Sequence, residues 1–155
     1  MQRKGISIIE IIITISIVSI LTGMGMAAYL SWQKQARLVD NSDAIKSALV
    51  RAQQLATAAA SSTDWGLHLE LDRYVLFSGS FYSVDDANNS SWNLSGVEIN
   101  DPELSFTDGA GGRTADVVFH KFTGLTSNTG TIDIISNADP TIGRDIEVFA
   151  SGKID

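Results

Sequence analysis

Cysteine is absent from the 155 residues, which removes a disulfide framework, a thiol nucleophile and any cysteine-based zinc site. Basic residues are scarce beyond the first third. Residues 52–155 carry five Lys and Arg against fifteen Asp and Glu, a net of −10, whereas residues 1–51 carry six against three, a net of +3. So acidic a distal part is soluble and self-repelling. It is also a poor non-specific DNA binder, because such binding needs clustered cations to displace counterions. Nucleic acid is therefore not an expected partner, and a basic contact would have to come from a local patch at Lys121, Arg144 and Lys153.

Catalytic signatures are missing as well. The chain has no Gly-x-Ser-x-Gly, no His-Glu-x-x-His and no Gly-x-x-x-x-Gly-Lys-Ser/Thr. His68 and His120 alternate with apolar neighbours in strand-like stretches and are expected to face solvent in structural roles. Asp108-Gly109-Ala110-Gly111-Gly112 opens with an acid and reads as a turn, not a phosphate loop. Asp85-Asp86-Ala87-Asn88-Asn89 offers oxygen ligands of the kind a hard cation takes, without the spacing of an EF-hand, and reads as a solvated loop. No cofactor and no metal are expected, and the chain reads as a non-enzyme.

What is present is a long apolar run. A short basic leader containing Arg3 and Lys4 ends at Gly5, and from Ile6 to Leu30 the only charge is Glu10. An acid in the middle of a lipid-embedded helix costs about 2.5–3.5 kcal/mol for the analogous Asp. Such a group is worth keeping where a cation from another molecule meets it, and headgroup solvation is the plain alternative. From Ile11 to Gln33 no residue is charged. As a helix that stretch is about 35 Å long at ~1.5 Å per residue, enough to cross a hydrocarbon core of about 30 Å. A cleavable secretory signal would have a shorter apolar region followed by its cleavage site. A buried core helix is the other alternative, but no polar stripe interrupts the Ile- and Val-rich run before Gln33. Membrane insertion is the favoured reading. Arg3 and Lys4 favour a cytoplasmic N-terminus, against which Lys34 and Arg37 on the other flank weigh.

From Ser31 the pattern turns amphipathic. Leu38, Ile45, Ala48, Leu49, Ala52, Leu55, Ala56 and Ala59 recur at spacings of three, four and seven, with Lys34, Asp40, Lys46, Arg51 and Gln53 largely outside the stripe. The pattern predicts one helix from about Ile6 to Ala60, apolar all round in its first half and packed on a domain by one face in its second. Gly23 and Gly25 are its expected soft point in an assembled fibre, since Gly weakens a helix by about 1 kcal/mol relative to Ala. After Ser61 short β-rich segments follow, separated by Gly, Asn, Asp and Ser clusters. They are Trp65–Leu71, Tyr74–Phe77, and stretches around Phe81-Tyr82, Val97–Ile99, Leu104–Phe106, Val117–Phe122, Thr131–Ile135 and Ile146–Phe149. The expected class is α+β, with a long N-terminal helix on an antiparallel β domain of one or two small sheets; no βαβ alternation points to a parallel sheet.

Gly5-Ile6-Ser7-Ile8-Ile9-Glu10 resembles the processing site of type IV pilins and type II secretion pseudopilins. That resemblance implies cleavage by a prepilin peptidase between Gly5 and Ile6, N-methylation of Ile6, and Glu10 as the fifth mature residue. Ile6 stands where the family usually has Phe, and Ser7 where it has Thr. The new α-amino group of Ile6 would give Glu10 of a neighbouring subunit its counter-ion, in a medium where the attraction far exceeds that in water. Ala48 to Ala56 and the C-terminal run Gly130-Thr131-Ile132-Asp133-Ile134, Arg144–Val148 and Ser151-Gly152-Lys153-Ile154 are similar to GspH/FimT-type pseudopilins and minor pilins. Residues 80–115 carry no such resemblance. The implied organisation is a leader at 1–5, a transmembrane and assembly helix at 6–30, an amphipathic helical half at 31–61 and a β-rich pilin-like domain at 62–155. The implied function is that of a structural subunit, a minor one, of a type IV pilus or secretion pseudopilus. Its partners would be other subunits, prepilin peptidase and inner-membrane lipid. It would be single-pass in a prokaryotic inner membrane before entering a periplasmic or extracellular filament. A membrane-tethered extracytoplasmic binding module, serving DNA uptake, adhesion or recognition of a secreted substrate, is the alternative.

Overall fold

The computed structural model describes residues 7–155; the expected leader, residues 1–5, and Ile6 lie outside them. The chain divides into two compact units that meet in sequence at Gln35 and Ala36. Helix α1, Ile8–Thr57, supplies all the described regular structure of the first unit and one layer of the second.

In the first unit Thr14, Ser16, Ser19 and Thr22 create no polar stripe, because each of these four hydroxyls is spent on its own helix. Thr14 Oγ1 donates to the Glu10 carbonyl at 2.6 Å, Ser16 Oγ to Ile12 at 2.7 Å, Ser19 Oγ to Ile15 and Thr22 Oγ1 to Val18 at 2.8 Å. A β-branched run is only a fair helix former in water. In hydrocarbon a helix satisfies every backbone group internally, which makes it the default for a single span. None of the most apolar window of α1 is buried, and the helix is long and apolar enough to cross a membrane.

In the second unit the apolar stripe of α1 faces the core. Leu38, Ile45, Ala48, Leu49, Ala52 and Ala56 are buried, and Leu55 is half-buried. Ser42 completes the heptad register between Leu38 and Ile45 and is fully buried too. The helix ends without a glycine. Ala59 takes a left-handed conformation (φ 50°), as do Ser61 and Ser62 (φ 59° and 55°) in the 3₁₀ turn Ala60–Ser62 and at its end. Trp65 Nε1 donates to Ala60 O at 2.9 Å and ties the turn to the first strand.

Among the described residues nine strands follow, all antiparallel: β1 Trp65–Leu69, β2 Arg73–Ser78, β3 Ser90–Asn93, β4 Val97–Asn100, β5 Phe106–Thr107, β6 Arg113–Thr114, β7 Asp116–Phe119, β8 Thr129–Ser136 and β9 Asp139–Val148. One sheet has the order β3-β2-β1-β7. In the other, β4 and β5 share one edge of β8, β9 takes the opposite edge, and β6 pairs with β5. The core lies between these sheets and α1, filled by Leu67, Leu69, Ile99, Phe106, Phe119, Ile132, Ile134 and Ile146. The chain is thus α+β, its apolar helix combined with antiparallel sheets.

The segment around Phe81-Tyr82 is not a strand. Residues 79–89 form bends and turns, with Phe81 exposed and Tyr82 stacked flat on His68 at 3.9 Å between ring centroids. Tyr82 also leans on Phe77, so this loop covers the sheet face turned away from the core. That explains why all four residues Tyr74–Phe77 are buried rather than alternate ones. Leu104 belongs to a 3₁₀ turn, Pro102–Leu104, and not to a strand, and β7 stops at Phe119, short of the expected Phe122. Conversely β9 starts at Asp139, well ahead of the expected Ile146, and β3 arises where no strand was expected.

Candidate functional site

The first turn of α1 places Glu10. Its backbone N–H donates to Ser7 O at 3.1 Å, and its side chain is exposed. An acid there is favoured by the exposed N–H groups of the helix start. Among the described residues its carboxylate has no ion-pair partner. Gly5 and Ile6, the expected cleavage and methylation positions, fall outside the described residues, so Glu10 alone of the three is placed.

Around and beyond Glu10 the helix is apolar on every side. Ile8 is 77% exposed and Met24 70%, where a soluble core helix would hide such side chains. The helix runs unbroken through Gly23 and Gly25, and a Cβ at either would meet nothing within 4 Å. The apolar stretch closes with Tyr29 and Trp32, whose rings lie 6.2 Å apart and are both exposed. From Glu10 to Trp32 the rise is about 33 Å at ~1.5 Å per residue. Tyr and Trp concentrate at membrane–water boundaries, where an amphipathic ring suits both sides. Sequence reasoning passed over these two residues. Their signal was the position of two aromatic side chains just ahead of Lys34.

A second group of polar residues sits in the β domain. His68 does not simply face solvent: its side chain is only 20% exposed, it bonds Asp116 Oδ1 through Nδ1, and it stacks on Tyr82. His120 is half-exposed, 3.6 Å from Asp64 Oδ2 through Nδ1 and 3.2 Å from Ser127 Oγ through Nε2. Acid, imidazole and hydroxyl thus stand in line. The Asp64–His120 distance exceeds a hydrogen bond, however, and Asp64 already accepts from the Lys121 N–H at 2.8 Å and from Ser80 Oγ at 3.3 Å. The Lys121 N–H, with the neighbouring His120, holds the Asp64 carboxyl below its ordinary range. This arrangement ties the 79–80 and 120–121 turns to the start of β1.

Asp108 caps its own turn, accepting from the Ala110 and Gly112 N–H groups through Oδ1, as expected of a Gly-rich turn. In the Asp85–Asn89 loop Asp86 Oδ1 accepts from the backbone and side chain of Asn88. Among the described residues no group of three or more His, Asp or Glu is placed to hold a metal ion. Lys153 pairs with Asp155, and Lys121 Nζ donates to Ser62 O.

Fold and helix together define an α+β protein with one N-terminal helix able to span a membrane. Comparison with protein-family models, with curated proteins and with solved structures finds no match to this chain.

Proposed function

We propose that this chain is a minor structural subunit of a type IV pilus or type II secretion pseudopilus. It is cleaved by prepilin peptidase between Gly5 and Ile6, N-methylated at Ile6, held in the inner membrane with its N-terminus cytoplasmic, and packed into a filament through α1. The observation that carries this reading is the α1 arm itself: apolar on all sides, unburied, and bearing one carboxylate, Glu10, with no partner among the described residues. An unpaired acid in oil is costly, and a neighbouring subunit's amino terminus at the same depth would relieve that cost. The β domain, packed on the buried stripe from Leu38 to Ala56, would serve as the subunit's head, and no catalytic role is assigned to it.

The test is mass spectrometry of the full chain co-expressed with a prepilin peptidase. The expected product begins at Ile6 and carries one added methyl group. A chain still beginning at Met1, or one cut after residue 26, overturns the proposal.

A further inference from the structure

Strand β3, Ser90–Asn93, is the outermost strand of its sheet and is exposed throughout. Its pairing with β2 fixes which backbone groups remain unused. Leu94 N donates to Asp72 O at 2.7 Å, and in the same register Trp92 faces Tyr74 and Ser90 faces Leu76. Hydrogen-bonded pairs alternate along an antiparallel ladder, so Ser90, Trp92 and Leu94 spend their backbone groups on β2. Ser91 and Asn93 direct theirs outward.

The other edges among the described strands are protected. Ile99 N in β4 donates to Leu71 O, β7 is bridged from Phe119 to Thr126, and β9 carries Pro140 and Arg144 and is bridged from Val148 to Ile154. Strand β6 is two residues long. By contrast β3 has no charge, no proline and no register shift, which are the usual defences of an edge. It is also held in place, since Asn41 bonds both Ser95 O and Ser95 N, and Asn89 N donates to Asp86 O at 3.1 Å. A rigid edge lowers the ordering cost of accepting a strand.

Beside this edge lies a cleft of about 200 Å³ between α1 and the sheet, lined by Ala44, Ser47, Arg51, Tyr74 and Trp92. Trp92 and Tyr74 stack there at 5.6 Å. Arg51 is exposed and has no hydrogen-bond or ion-pair partner among the described residues. In a strand added to β3, the residue opposite Trp92 has its side chain on the same face as Trp92, toward Ser47 and Arg51.

We propose that the β3 edge is a docking site for an extended segment of a partner protein, bound by strand addition through Ser91 and Asn93, with an acidic side chain opposite Trp92 meeting Arg51. Strand addition takes affinity from main-chain bonds and specificity from alternate side chains, and this edge supplies both elements. Two copies of β3 pairing about a two-fold axis would set Arg51 against its own copy, so the charge favours a different, acidic partner.

The experiment uses the full chain in detergent micelles and a cyclic β-hairpin peptide whose outer strand reads Thr-Val-Glu-Val-Thr. Amide hydrogen exchange at Ser91 and Asn93 should slow at least tenfold on saturation. Replacing the peptide Glu by Lys should weaken binding at least tenfold, and Arg51→Glu should reverse that preference. N-methylation of the two Val residues should abolish binding without any change to the protein, and Ser91→Pro should mimic it from the other side. Equal binding of the Glu and Lys peptides, no added protection at saturating peptide, or protection that rises with chain concentration alone would each overturn the proposal.

Discussion

Asp64 draws three stretches of chain together with one carboxylate. It accepts from the Lys121 N–H at 2.8 Å, from Ser80 Oγ at 3.3 Å, and lies 3.6 Å from His120 Nδ1, with its own side chain 18% exposed. These contacts favour the charged form, so its folded pKa lies below the ordinary 3.8. A depressed carboxyl stabilises the fold fully above that ordinary value and loses the contribution as pH falls through the folded one. Asp64→Ala should therefore cost about 1.5–3 kcal/mol at pH 7, the worth of one hydrogen bond to a charged group. Chemical unfolding followed at a series of pH values should show the gap between the two proteins narrowing below pH 3.8. A gap that stays constant across that range would separate the stabilisation from the ionised form.

The C-terminal end of α1 is an element built against preference. Left-handed backbone at the helix end belongs to glycine, because a Cβ crowds the following carbonyl. Here Ala59 adopts it at φ 50° and ψ 36°. Ala59→Gly should raise the unfolding free energy by about 0.5–1 kcal/mol, measured by denaturant titration, with no change in the contacts of β1. The course of this helix was legible in sequence, since an apolar residue every third or fourth place survives any local exception, and the expected span of about Ile6 to Ala60 compares with Ile8–Thr57. Two of its residues were not legible. Ser42 occupies an apolar place and Gln53 was placed outside the stripe, yet Gln53 Nε2 reaches Gly124 O at 3.0 Å and Gly152 O at 2.9 Å. Both partners are distant in sequence and both glycines are left-handed (φ 66° and 77°), so only the assembled fold shows that a side chain would collide with Gln53 there. Strand β3 escaped notice because Ser90-Ser91-Trp92-Asn93 has no apolar alternation, and Phe81-Tyr82 misled because aromatic content signals coverage of a surface as readily as a strand. Glu10 was legible from the absence of any other charge near it, whereas the aromatic pair Tyr29 and Trp32 needed the helix register to be seen as a pair.

The chain falls into two compact units, and that division gives the assembly proposal its sharpest consequence. Among the described residues, every member of the buried core belongs to residues 36–155, and Glu10 belongs to the other unit. Its carboxylate is exposed and has no ion-pair partner among the described residues. Glu10→Ala should leave the thermal unfolding of the β domain unchanged. If a neighbouring amino terminus pairs with Glu10 in the filament, the same substitution strands that cation in hydrocarbon, a loss of about 3–5 kcal/mol for one partner of a buried pair. At about 1.4 kcal/mol per factor of ten, incorporation into filaments should fall at least a hundredfold. Glu10→Gln keeps the shape and removes the charge, so it should fail in the same way, which separates ion pairing from packing. The measurement is the fraction of subunit recovered in sheared filaments against the fraction left in the membrane. Normal recovery of either variant would mean that the acid is merely tolerated at the headgroup boundary and that α1 packs by shape alone.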